Sequence, residues 1–178
     1  LLRPSGELFK FARHFKEGAL GARSLNDSGE IVGNAIVPDS LPQKVTAWRL
    51  RSAGRELDLD RDSLKLGGAE HTWAYDVNWR GETAGSAWRN GGYRPVIWDE
   101  DGLAREQQTR IGGEVLAINE GGVAVGYIAT RAETPDNPFL DLHAAIFQNG
   151  ESRDLNELVP ADYQFVLTRA TGINADGQ

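Results

Sequence analysis

The feature that most constrains this chain is a phrase of nine residues that returns. LNDSGEIVG at 25–33, VNWRGETAG at 77–85 and INEGGVAVG at 118–126 are followed by the opening of a fourth copy, INADGQ, at 173–178. In each complete copy a turn Asn (Asn26, Asn78, Asn119) is followed three positions on by Gly29, Gly81 or Gly122, and seven positions on by Gly33, Gly85 or Gly126. With Asn174 as the fourth marker, the Asn residues are 52, 41 and 55 apart. Self-similarity at that period is the mark of a repeat architecture, so the phrase is a structural unit before it is a site.

Local chemistry says what the unit is. An Asn side chain opens a turn by accepting backbone N–H groups, and the Gly three residues later takes the positive φ that closes it. A second marker follows in VTAWRL (45–50), PVIWDE (95–100) and AAIFQN (144–149), which place Trp48, Trp98 and Phe147 at intervals of 50 and 49 residues. Each is trailed by a turn ending at Gly54, Gly102 or Gly150. Every unit thus reads as two hairpins, and four short strands per repeat is the size of a propeller blade, which has to stack on its neighbours to bury its faces. The predicted fold is all-β: tandem four-stranded antiparallel, propeller-like repeats, about three and a half blades in one domain. Units span about 22–69, 70–112 and 113–168, between partial units 1–21 and 169–178. Sustained helical periodicity is lacking; the nearest case, FKFARHFKEGAL around Phe11 and Phe15, reads as a loop or one helical turn.

The glycine inside the strand needs its own explanation. Relative to Ala it costs about 0.5–1 kcal/mol in backbone entropy and packs nothing. Repeated at Gly33, Gly85 and Gly126, that cost implies a shared steric reason: crowding between blades, or the aromatic of the second hairpin lying over the first. A phosphate-cradling loop would have to lead into a helix N-terminus, and none follows.

Length and composition set the outer limits. The 178 residues can bury one sizeable core, and 40% hydrophobic residues with 21 glycines describe a folded, turn-rich chain. The formal charge of −7, distributed as +1 over residues 1–89 and −8 over 90–178, opposes nucleic-acid binding. Without cysteine the chain has no disulfide and no thiolate, and it has no apolar run long enough for a helical membrane span. Methionine is absent even at position 1, so a processed product or an excised piece is expected.

As a set, the IN-x-x-G-x-x-V-G phrase, the double glycines in LGG (66–68) and IGG (111–113), the Ala-x-aromatic strand and DLNELVP at 154–160 resemble the HAF repeats of bacterial extracellular proteins. The likeness covers nearly the whole chain. It departs at Trp79, at Thr83 and Ala84, and in HAAIF (143–147), which only approximates the eponymous His-Ala-Phe. The resemblance implies a secreted or surface-exposed β-repeat protein and brings no catalytic residues with it.

Candidate chemistry is sparse. His14, His71 and His143 lack a second His at metal-ligand spacing, so no metal site is assigned. Asp58, Asp60 and Asp62 imitate the start of a calcium loop, but Ser63 stands where its Gly belongs and Glu70 falls one position late; plain strand alternation into a turn explains them. Asp99, Glu100 and Asp101 crowd a hairpin tip, and no Gly-x-Ser-x-Gly elbow occurs. No catalytic residue and no cofactor is predicted. The least repetitive stretch, 71–93, gathers Trp73, Tyr75, Trp79, Trp88 and Tyr93 among Arg80, Arg89 and Arg94. Trp79 stands in the turn itself, outside any core. Trp73, Trp79, Arg80, Trp88, Arg89 and Tyr93 are therefore the candidate binding residues, for a glycan or a protein partner; the alternative is that the tryptophans fill gaps between blades.

The expected function is a noncatalytic extracellular or cell-surface scaffold or binding module. A polysaccharide hydrolase or lyase with carboxylates around a propeller channel is the alternative. The ends read as an incomplete ring, because LLRPSGELFKF aligns with RLRSAGRELDL (49–59) through Leu2, Arg3 and Gly6, while the other end stops in a first hairpin. Further units, or self-association through open blade edges, are expected to cover what this leaves.

Overall fold

The computed structural model describes residues 20–37, 40–51, 57–131, 141–160, 162 and 164–178. The half-unit 1–11, the segment around Phe11 and Phe15, His14 and the turn at Gly54 lie outside the described residues. Among the described residues, twelve strands make three four-stranded antiparallel sheets, each a meander in chain order. The first holds β1 (Leu20–Leu25), β2 (Ile31–Val37), β3 (Lys44–Leu50) and β4 (Ser63–Leu64). The second holds β5 (His71–Val77), β6 (Thr83–Arg89), β7 (Gly92–Trp98) and β8 (Ala104–Glu106), and the third β9 (Gly113–Ile118), β10 (Ala124–Arg131), β11 (Asp141–Gln148) and β12 (Glu151–Asp154).

The four Asn turns have one geometry. The Asn N–H donates to the carbonyl four residues on, and the Gly N–H donates back to the Asn carbonyl, at Asn26, Asn78, Asn119 and Asn174 alike. Gly29, Gly81, Gly122 and Gly177 all have φ between 77° and 82°. Each Asn Oδ1 also accepts the N–H of the fourth following residue, at 2.7–3.0 Å. The second hairpins vary more: Asp99 opens an Asn-like turn closed by Gly102, whereas Asn149 and Gly150 both take positive φ, as a tight two-residue hairpin requires.

Gly33, Gly85 and Gly126 stand beside an irregularity in the first strand of each sheet. Pairing skips one residue there: Arg23 in β1, Tyr75 in β5 and Leu116 in β9. Bulging drives a first-strand carbonyl towards the glycine, so that an added Cβ would lie 2.0 Å from Gly21 O, 1.9 Å from Trp73 O and 2.0 Å from Glu114 O respectively. The crowding comes from within the sheet rather than from a neighbouring one. The aromatics add to it in two sheets, where Trp48 and Trp98 would meet the new atom at 2.5 and 2.7 Å.

Register corrects the alignment of the aromatic markers. Trp98 and Phe147 pair with Thr83 and Ala124, five residues past their turn Asn, but that place in the first sheet belongs to Leu50; Trp48 pairs with Gly33 instead. A shift of two residues preserves the face, so all three aromatics are fully buried. One core (Val32, Ala47, Ala74, Val77, Ala87, Val96) lies between the first and second sheets, and another (Ala84, Val115, Ala124, Ala145, Phe147) between the second and third. The middle strand β6, TAGSAWR, is buried over its first five residues because small side chains let sheets approach from both sides.

The segment expected to be strand running into a turn is instead a single helical turn, α1 (Leu59–Asp62). Asp58 caps it by accepting the Asp60 N–H at 3.0 Å, and buried Asp62 accepts the Asp58 N–H at 2.9 Å. Two of the three aspartates that imitate a calcium loop, Asp58 and Asp62, are thus used as acceptors at this helical turn. After the 3₁₀ turn Leu155–Leu158, residues 164–178 form no strand, but they lie along the third sheet.

Candidate functional site

The predicted binding residues divide between opposite ends of the second sheet. At the turn end, Trp79 is 54% exposed, and its backbone N–H donates to the Glu120 carboxylate at 2.9 Å. Arg80 pairs with Glu82 at 3.1 Å. The other end lies a strand length away, about 20 Å for seven residues. There Trp73, Trp88 and Tyr93 come together from three adjacent strands: Trp73 and Tyr93 have ring centroids 5.5 Å apart, and Trp88 meets Tyr93 edge-on at 4.9 Å. His71 extends the band, 5.6 Å from Trp73, and its Nδ1 accepts the Val45 N–H at 3.0 Å. All four rings are half-buried. Arg89 forms an ion pair with Glu106, and Arg94 donates to Ile111 O at 3.0 Å, so both serve as framework.

Beside this band lies a polar cluster that sequence reasoning missed. Glu114, near the start of β9, is the cross-strand partner of Tyr127. Tyr75, the bulged residue of β5, has its hydroxyl 3.5 Å from Ser86 Oγ. Burial pushes the Glu114 carboxyl above the usual carboxylate value, although hydrogen bonds from Tyr75 and Tyr127 and the nearby Arg169 charge draw it down. Tyr75 and Tyr127 are raised well above an ordinary phenol, first by burial and then by the Glu114 charge. Tyr93, raised for the same two reasons, links the cluster to the aromatic band. The Arg169 guanidinium lies over the Tyr127 ring, 4.6 Å from its centroid. Tyr75 and Tyr93 fall in the aromatic-rich stretch, but nothing in sequence pairs them with Glu114 or Arg169.

The turn Asn residues also do more than their spacing shows. Each Nδ2 crosses to the next sheet's turn: Asn26 donates to Asn78 O at 2.8 Å, Asn78 to Asn119 O at 3.1 Å, and Asn119 to Asn174 O at 3.1 Å. Asp76 bridges all three sheets, accepting from Ser24 Oγ at 2.7 Å and from the Ile118 N–H at 3.0 Å. Buried Arg49 donates to Gly81 O, to Asp99 O at 2.9 Å and to Glu100 O at 2.8 Å; burial, then the Arg51 charge, lower its pKa. His143 meets Asp154 at 2.5 Å. Burial works to raise Asp154, but its hydrogen bonds from His143 and Asn156 outweigh that and hold it below the usual carboxylate value.

No protein-family model, curated protein or solved structure matches this chain. Among the described residues, no group of three or more His, Asp or Glu side chains is placed to hold a metal ion, and no helix is long and apolar enough to cross a membrane.

Proposed function

We propose that the chain is a noncatalytic glycan-binding module of a propeller-like β-repeat protein, acting at the extracellular face or cell surface. The observation that carries this reading is the band His71–Trp73–Tyr93–Trp88, a run of half-buried rings on adjacent strands outside the two sheet-to-sheet cores. Rigid rings with few rotatable bonds give sugar faces a stacking surface at low entropic cost. The propeller-like arrangement is supported by successive four-stranded meanders tied turn to turn, and the extracellular location by the resemblance of the motifs to HAF repeats. The alternative, a polysaccharide hydrolase or lyase, has less to support it: the tyrosine cluster contains one carboxyl, whereas hydrolysis by a carboxyl pair needs a second across a cleft.

Affinity electrophoresis through gels containing soluble polysaccharides tests the reading. Wild type should be retarded by at least one polysaccharide, and Trp73→Ala with Trp88→Ala should restore free mobility without loss of the fold. Equal retardation of wild type and the double variant would remove the aromatic band from the function. Cleavage products accumulating with wild type would favour the enzyme.

A further inference from the structure

We propose that a cavity between the first and second sheets, walled by Arg49 and Arg51, binds a dianionic phosphoryl group carried on a small molecule such as a sugar phosphate. The site does not depend on the glycan-binding reading. Arg49 reaches Gly81 O in the Asn78 turn, so the cavity lies at the turn end, opposite the end that holds Trp73, Trp88 and Tyr93. Residues two apart in an extended segment project from the same side, which brings Arg49, in β3, and Arg51, just after it, to one place. Both guanidiniums converge on one carbonyl: Glu100 O accepts from Arg49 at 2.8 Å and also from Arg51. Among the described residues neither closes an ion pair, whereas Arg61, which also lines the cavity, is matched by Asp62 at 3.1 Å. Arg49 is only 3% exposed, and after burial itself the Arg51 charge is what lowers its pKa; Glu30, Asp99 and Asp101 offset this only in part. A buried guanidinium held by neutral carbonyls beside a second guanidinium lacks a counter-charge, and low-dielectric surroundings magnify that deficit.

The groups left over select the ligand. Of the five N–H donors of Arg49, three are used, on Gly81 O, on Asp99 O at 2.9 Å and on Glu100 O, which leaves two for a ligand. Arg51 is exposed and spends a donor only on Glu100 O among the described residues. A phosphoryl group brings three acceptor oxygens and nearly two negative charges to the two guanidiniums, where a carboxylate neutralises only one. Opposing charge is limited, because the Asp62 carboxylate is taken by Arg61 and by the Asp58 N–H, leaving Asp101, exposed at the rim. Gly102 keeps the wall open: its Cβ position stands 3.7 Å from both Arg49 Nη2 and Leu64 Cδ2. The cavity volume of about 330 Å³ falls among small-molecule sites and exceeds what a bare ion fills, so the phosphoryl group is assigned to a carrier.

NMR titration of the full chain at constant ionic strength, with galactose 1-phosphate, inorganic phosphate and acetate, tests the site. The Gly102 and Arg51 backbone amide signals should move saturably with both phosphates, and acetate should bind about tenfold or more weakly. Arg51→Ala should weaken phosphate binding about tenfold or more, whereas Asp101→Asn, which removes the rim charge, should tighten it. Dispersed amide spectra report that each variant is folded. Trp73→Ala with Trp88→Ala should bind phosphate as wild type does, which keeps failure of this site distinct from failure of the aromatic band. No saturable movement with either phosphate, or an affinity unchanged in Arg51→Ala, overturns the site. Acetate bound as tightly as phosphate overturns the choice of a phosphoryl group. Tighter binding of galactose 1-phosphate than of the inorganic ion supports the carrier, and equal affinity overturns it in favour of the free ion.

Discussion

Gly85 shows how one missing atom can be required by backbone rather than by ligand. Its Cβ position is filled from one side by the Trp73 carbonyl, 1.9 Å away, and from the other by the Trp98 ring at 2.7 Å. The carbonyl belongs to a bulged strand and has no rotamer to adjust, so even Ala forces the β5–β6 ladder apart. Gly92, also in a strand of this sheet, is the contrast, since the nearest atom to its Cβ position is the flexible end of Arg94 at 3.8 Å. Gly85→Ala should destabilise by about 3 kcal/mol or more, in the range of overpacking and broken ladders, and Gly92→Ala by less than about 0.5 kcal/mol. Urea denaturation of both variants measures the difference, and matched midpoints would remove the steric argument.

At the scale of the element, each Asn turn performs two jobs with two ends of one amide. Oδ1 closes the turn within the hairpin, and Nδ2 reaches the carbonyl of the next turn Asn. Asn78→Asp separates them: the carboxylate can still accept the Glu82 N–H, but it faces Asn119 O without a donor and stands beside the Glu82 carboxylate. The expected loss is about 2–3 kcal/mol, that of a buried carbonyl left unsatisfied and a charge with no partner. Asn174→Asp, at the exposed last turn and with no Nδ2 bond to a further sheet among the described residues, should cost under about 1 kcal/mol. Thermal melts of the two variants decide it; equal losses would mean that the crossing bond contributes nothing.

Over the whole molecule, the sheets are joined in series through the turn row, Asp76, Arg49 and the paired cores. Residues 164–178 continue that series without becoming a strand. The Leu167 carbonyl, seven residues before Asn174, receives an N–H from β11, and at the matching position of the second sheet, seven before Asn78, it is the His71 ring Nδ1 that receives one from β3. The DLNEL stretch explains the attachment: Asp154 caps the 3₁₀ turn, and Asn156 meets Leu167 with both ends of its amide. Asn156→Ala should raise amide exchange at Leu167 about tenfold or more, by freeing the bond its N–H makes, while leaving β5 and β6 protection unchanged. Exchange that rises uniformly across the chain would show that Asn156 supports global stability instead.

The turns and the sheet count were legible in sequence because their causes are local: an Asn-x-x-Gly turn needs a side-chain acceptor and a positive φ within four residues, wherever it stands, whereas the carbonyl that fills the Cβ position of each strand glycine comes from a bulge in the paired strand. The missing cysteines excluded disulfides and thiolate chemistry on the same local terms. What tertiary structure decided is everything carried between units. That Trp48 faces Gly33 while Trp98 faces Thr83 depends on strand register, which pairing sets and spacing does not. Asp58 begins a helical turn because capping outweighs alternation there. Trp79 stands apart from Trp73, Trp88 and Tyr93 because a hairpin sends the two ends of a strand in opposite directions. Glu114 meets Tyr75, Tyr127 and Arg169 only because two sheets and the segment after the 3₁₀ turn pack together, and no periodicity records a contact between residues so far apart in the chain.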